Sequence, residues 1–174
     1  MRVRSAASLL AAAGLVAVFA APVAAAPASS TYQPPVVSWV QPTVIAHADG
    51  TATVHVKYTC FGGNAHPHLF IGVKQGPEVN ATDHTSSEFA QTFYSTNWNS
   101  DGPGLSLDCN GRQHNALFVV KPDPYFAFRA PGAPLLSAGT AFVQVCVFDS
   151  TNSGEEGDLN GFAFDYSMRK VVTD

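Results

Sequence analysis

His66-Pro67-His68 sets two imidazoles two residues apart, and in an extended stretch such side chains point the same way, as two nitrogen ligands for zinc would. A third ligand would have to come from elsewhere, with Asp83, His84 and His114 as the candidates. The segment from Asp149 to Asn160, D-S-T-N-S-G-E-E-G-D-L-N, gathers oxygen donors around a glycine. Asp149, Thr151, Ser153, Glu155 and Asp158 are those a hard cation such as calcium would use. Asn160 stands where the helix-loop-helix calcium motif places a bidentate Glu, so the plainer reading is a solvated acidic hairpin loop. Tyr94, Trp98 and Asn99 put aromatic rings beside amides, the pairing that stacks on a pyranose and bonds its hydroxyls; otherwise Trp98 folds back and plugs one end of the domain. Nucleophilic catalysis is not signalled. There is no G-x-S-x-G, no histidine is spaced against a serine or Cys146, and the adjacent Glu155 and Glu156 diverge in an extended chain. The chain is therefore expected not to be an enzyme and to need no cofactor.

Three cysteines allow three single disulfides and always leave one thiol over. Cys60 closes T-A-T-V-H-V-K-Y-T-C, where Ala52, Val54, Val56, Tyr58 and Cys60 alternate with Thr51, Thr53, His55, Lys57 and Thr59. That is a strand with one face in a core and one in water. Leu105, Leu107 and Cys109 also alternate, so both sulfurs should point inward, which favours a Cys60–Cys109 bridge. Cys146 sits out of phase with Ala141, Val143, Val145 and Val147 on its strand. It reads as a buried, inert thiol, with a partner on another chain or a different intrachain pairing as alternatives.

These residues need strands to hold them. Residues 36–46 read as strand interrupted by Pro42, and His47-Ala48-Asp49-Gly50 as the turn into 51–60. Further strands are expected at 69–75, 89–94, 105–109, 113–121, 140–149 and 162–172. Four prolines make 122–139 a long crossover rather than a regular element. No helical periodicity of useful length follows the first 26 residues. The pattern predicts an all-β domain, a two-sheet sandwich of immunoglobulin-like type with seven or eight strands.

The start, M-R-V-R followed by an uncharged Ala-rich run to Ala26, has the form of a secretory signal peptide cut near Ala25. Residues 1–26 are assigned to it, 27–35 to a flexible lead-in and 36–174 to one domain. No later apolar run approaches the roughly 20 residues a membrane helix needs. Removing Arg2 and Arg4 leaves seven basic against 13 acidic residues, with no basic cluster, so nucleic acid is not an expected partner.

The stretches D-G-T-A-T-V-H-V-K-Y-T-C, I-G-V-K-Q, C-N-G-R-Q-H and S-A-G-T-A-F-V-Q-V resemble a group of small exported actinobacterial domains of unknown function. The resemblance covers roughly Val37 to Phe148 and carries Cys60, Cys109, Gln75, Gly111, His114 and Gly139. It implies export and an immunoglobulin-like sandwich, and no activity. The insertion between Gly76 and Gly104 and the extra Cys146 depart from it. Together these readings predict a secreted or cell-envelope module, monomeric, binding or structural, with an unknown extracellular ligand or protein as partner. The rival is a metal-dependent protein using calcium in the acidic loop or zinc at His66 and His68.

Overall fold

Among the described residues, alternation turns into strand pairing. The computed structural model describes residues 33–61, 67–80, 89–96, 107–149 and 162–174. These form β1 (Val36–Val40), β2 (Thr43–Ala46), β3 (Ala52–Thr59), β4 (Pro67–Gln75), β5 (Thr92–Ser95), β6 (Gln113–Pro122), α1 (Pro124–Arg129), β7 (Gly139–Asp149) and β8 (Phe162–Thr173).

β3 is bonded on both sides. Its residues 52–59 pair antiparallel with 120–113 of β6 along their full length, while β1 and β2 share its other edge. Between them Pro42, which has no N–H to give, interrupts the ladder, and its carbonyl accepts from the Lys170 N–H at 3.1 Å. β2 then runs parallel to β8, Thr43 opposite Lys170 and Ala46 opposite Thr173. The order β3-β2-β8-β7-β4-β5-β6 returns to β3, so seven strands close into a barrel, with β1 alongside β3.

The immunoglobulin-like sandwich is therefore overturned. Alternation says only that one face of each strand is buried, which a sandwich and a barrel satisfy equally. The β3–β6 and β2–β8 ladders join what would be the edges of two sheets, and a closed wall follows.

The interior is filled by side chains. Val54, Val56, Ile71, Val73, Val120, Val143, Val145 and Val147 are fully buried, with Tyr58, Tyr94 and Phe118 among them. β7 is covered on its outer face too, by burial of Phe142 and Cys146, so this strand carries almost no polar residue. β8 reverses the expected economy. Val143 stands opposite Ser167 and Val145 opposite Asp165, so its polar residues share the core's side of the wall, while Phe164, Tyr166 and Met168 lie outside over β7.

Two expectations about elements are corrected. Residues 107–109 are not strand; the bridge and the neighbouring turn hold them instead. The crossover contains α1, which Asp123 starts by accepting from the Phe126 N–H at 2.9 Å, with Pro124 in the first helical turn where its missing N–H costs nothing. The strand expected at 89–94 forms at Thr92–Ser95.

Candidate functional site

Among the described residues that sequence reasoning singled out, one rim of the barrel carries Cys60, His68, Cys109, His114 and Asp149. Thr59 lies opposite both Val36 and Gln113, Pro67 lies opposite Asp149, and Phe148 lies opposite Phe162. β5 also ends towards this rim, with Ser95 paired to Gly72. The described ends Thr59, Pro67, Asp149 and Phe162 accordingly lie together at this end of the barrel.

The disulfide sits there. Cys60 and Cys109 are bonded, with Cα atoms 4.4 Å apart, as the inward phase of Cys60 predicted. Beside it Asn110-Gly111 makes a turn whose glycine takes φ +78°, a region that L side chains rarely adopt. The Gly111 N–H donates to the Cys60 carbonyl at 2.9 Å, and the Arg112 N–H donates to the Asn110 side chain at 2.9 Å. His114 stacks on Tyr58 at 5.4 Å between centroids, and the Tyr58 hydroxyl accepts from the Asp108 N–H at 3.2 Å. A cystine, a turn and a stacked pair thus hold two neighbouring strand ends rigid.

Below the rim, on the core side of β8, Ser167 Oγ donates to Asp165 Oδ1 at 2.6 Å and Arg169 Nη2 donates to the same oxygen at 3.3 Å. Arg169 Nε is buried and finds no partner among the described residues. A guanidinium with one arm committed and one N–H idle suits a further acceptor, a carboxylate or hydroxyl oxygen. The spacing D-x-S-x-R marks this trio in sequence, but its direction follows only from the β7–β8 register.

Two other clusters carry chemistry. His47 Nδ1 lies 2.7 Å from Asp174 Oδ2, and its Nε2 lies 2.6 Å from Thr53 Oγ1. That is the order of an oriented base and its hydroxyl. Thr53, however, lies within a ladder between Ile45 and Val119, where pairing on both sides engages the backbone N–H groups that would have to hold an oxyanion. The cluster acts as a clasp between the β2–β3 turn and the end of β8. On the opposite wall Lys74 is buried, its Nζ 5.1 Å from the Phe93 ring, 5.6 Å from Phe142 and 3.4 Å from Gln144 Oε1. The Cys146 thiol lies near by, accepting from Gln144 Nε2 at 3.4 Å and 3.8 Å from the Tyr166 hydroxyl. Burial pushes the thiol up from its ordinary value, so Cys146 is a poor nucleophile at neutral pH. Burial, then the neighbouring thiol, raises Tyr166 as well.

Of the other expected site residues, Tyr94 is 2% exposed and belongs to the core, its hydroxyl bonded to the Leu136 backbone N–H. A ring so enclosed offers no open face to a sugar, which corrects its pairing with Trp98. Trp98, Asn99, His66, Thr151, Ser153, Glu155 and Asp158 lie outside the described residues. Asp149 ends β7 and His68 lies on β4 opposite Phe148. Among the described residues no three of His, Cys, Asp and Glu gather to hold a metal, and no helix is long and apolar enough to cross a membrane.

No family model, curated protein or solved structure matches this chain. The resemblance to small exported actinobacterial domains accordingly rests on its sequence motifs alone.

Proposed function

We propose that this protein is an exported, non-catalytic binding or structural module of the cell envelope or extracellular space, holding a ligand between segments displayed from one rim of a rigid barrel. The observation that carries this reading is that the described strand ends Thr59, Pro67, Asp149 and Phe162 lie together at the rim braced by Cys60–Cys109. Loops fixed at both ends by a stiff scaffold bind with little ordering cost. A disulfide suits an oxidising compartment, as does the signal-peptide form of the first 26 residues.

The test is a depletion assay with purified protein from culture medium against insoluble cell-wall polysaccharide. Retention on the polysaccharide that falls at least tenfold in a Trp98→Ala, Asn99→Ala double variant with unchanged melting temperature supports the reading. Retention indifferent to those two residues, or none at all, refutes it.

A further inference from the structure

At the opposite end of the barrel the 122–139 crossover is tied to the wall at four places and stands off it between them. Ser95 Oγ donates to Asp123 Oδ2 at 2.5 Å, and Thr92 Oγ1 donates to the Pro134 carbonyl at 2.8 Å. The Leu136 N–H bonds the Tyr94 hydroxyl. The Gln75 amide copies a strand, with Nε2 donating to the Ser137 carbonyl at 2.8 Å and Oε1 accepting from the Ser137 N–H at 3.0 Å.

Under the span lies a cavity of about 120 Å³, walled chiefly by Phe93, Phe126, Ala130, Ala133 and Leu135. Thr92, Pro134 and Leu135 also line a wider cleft of about 330 Å³, bordered by Gln75, Gln91, Ser137 and Thr140. An apolar chamber therefore adjoins a polar, uncharged cleft across Thr92, Pro134 and Leu135. The single acidic or basic residue lining either is Asp123, whose oxygens are already engaged by Ser95 and by the Phe126 N–H. Leu135, at the junction, is 56% exposed, a large aliphatic side chain left in water at the mouth.

We infer that this groove binds a neutral amphipathic small molecule, with an aryl ring or a branched alkyl group of similar size in the chamber and a hydroxyl or amide in the cleft. An apolar cavity of roughly 150 Å³ encloses a benzene ring, and a chamber of about 120 Å³ that is open on one side takes most of one. An anion would give up hydration with no counter-ion to replace it, and a cation would find only the Asp123 carboxylate, whose oxygens already accept from Ser95 and the Phe126 N–H. The site lies at the far end from the rim that carries Cys60–Cys109, so it stands or falls independently of that rim's function.

The experiment is a titration of the folded protein with 2-phenylethanol, followed by backbone amide NMR, with benzylammonium and benzoate as charged counterparts. The expected result is saturable shifts confined to residues 92–94 and 123–136, with the two ions binding at least tenfold more weakly. Ala133→Leu, which fills the chamber, should weaken 2-phenylethanol at least tenfold. Leu135→Lys, at an exposed position that tolerates the change, should do the same if the first variant folds poorly. Absence of saturable shifts, equal binding of the ions, or binding that survives both substitutions would overturn the inference.

Discussion

Removing the Cys60–Cys109 bridge is the perturbation whose size the structure allows to be worked out. The two cysteines are 49 residues apart in sequence, and between them the chain traverses β4 and β5. In the chain-entropy account, a cross-link closing such a loop removes about 14 cal/mol/K from the unfolded chain, or about 4 kcal/mol at 25 °C. In the folded state the bridge is largely redundant, because the eight-residue β3–β6 ladder already holds the same two segments together. Its effect should therefore act through the unfolded ensemble and leave the native barrel in place. A domain of ~140 residues unfolds with an entropy of roughly 0.3 kcal/mol/K, so the loss corresponds to a drop of roughly 14 °C in melting temperature. Thermal unfolding of the Cys60→Ala, Cys109→Ala variant by circular dichroism checks this. Cys60→Val with Cys109→Ala refills volume at the fully buried Cys60 and separates packing from cross-linking. A drop under about 4 °C, or loss of amide protection along β3 and β6 in the native state, would refute the reasoning, the second outcome because the ladder would then depend on the bridge.

Burial raises Cys146, Tyr94 and Tyr166, so the folded protein keeps protons that the unfolded chain releases above the ordinary thiol value of 9.0 and phenol value of 10.0. Stability should be flat with respect to these groups below pH 9 and fall as pH rises beyond it, which urea midpoints from pH 7 to 11 would show; a rise would contradict the burial argument. The Cys146 thiol, 2% exposed, should react with a thiol reagent only as the barrel unfolds, giving one equivalent in urea and almost none without it. A Cβ on Gly76 would lie 2.8 Å from the Phe89 carbonyl oxygen and 3.1 Å from the Gln91 nitrogen, so Gly76→Ala should cost about 2 kcal/mol in denaturant unfolding. His47→Ala unclasps Asp174 and Thr53; both bonds are partly exposed, so global stability should fall by no more than about 1 kcal/mol, while hydrogen exchange at Val171–Thr173 quickens.

Local pattern carried much of this protein. The alternation of residues 52–60 alone places Ala52, Val54, Val56, Tyr58 and Cys60 inside, and two-residue turns such as Asn110-Gly111 mark where strands reverse. α1 was also legible in principle: Asp123-Pro124 is a start signal, set aside because four prolines argued against regular structure. The three clusters that sequence reasoning missed join residues far apart in the chain or depend on facing. His47 meets Asp174, Lys74 meets Gln144, and Asp165 turns to the core side because it stands opposite Val145.

What the amino-acid sequence by itself determined is most of the strands, their apolar faces, the inward phase of Cys60 and the turns between strands. All of these follow from period-two alternation and local turn chemistry, which act over a few residues. Only the tertiary structure decided that the sheet closes, that β2 lies parallel to β8, that Tyr94 is core rather than ligand site, and that a groove opens under the crossover. A strand's alternation is the same whichever partner lies at its edge. Which edges meet is settled by long-range pairing and by how β8, more than a hundred residues away, fits against β2.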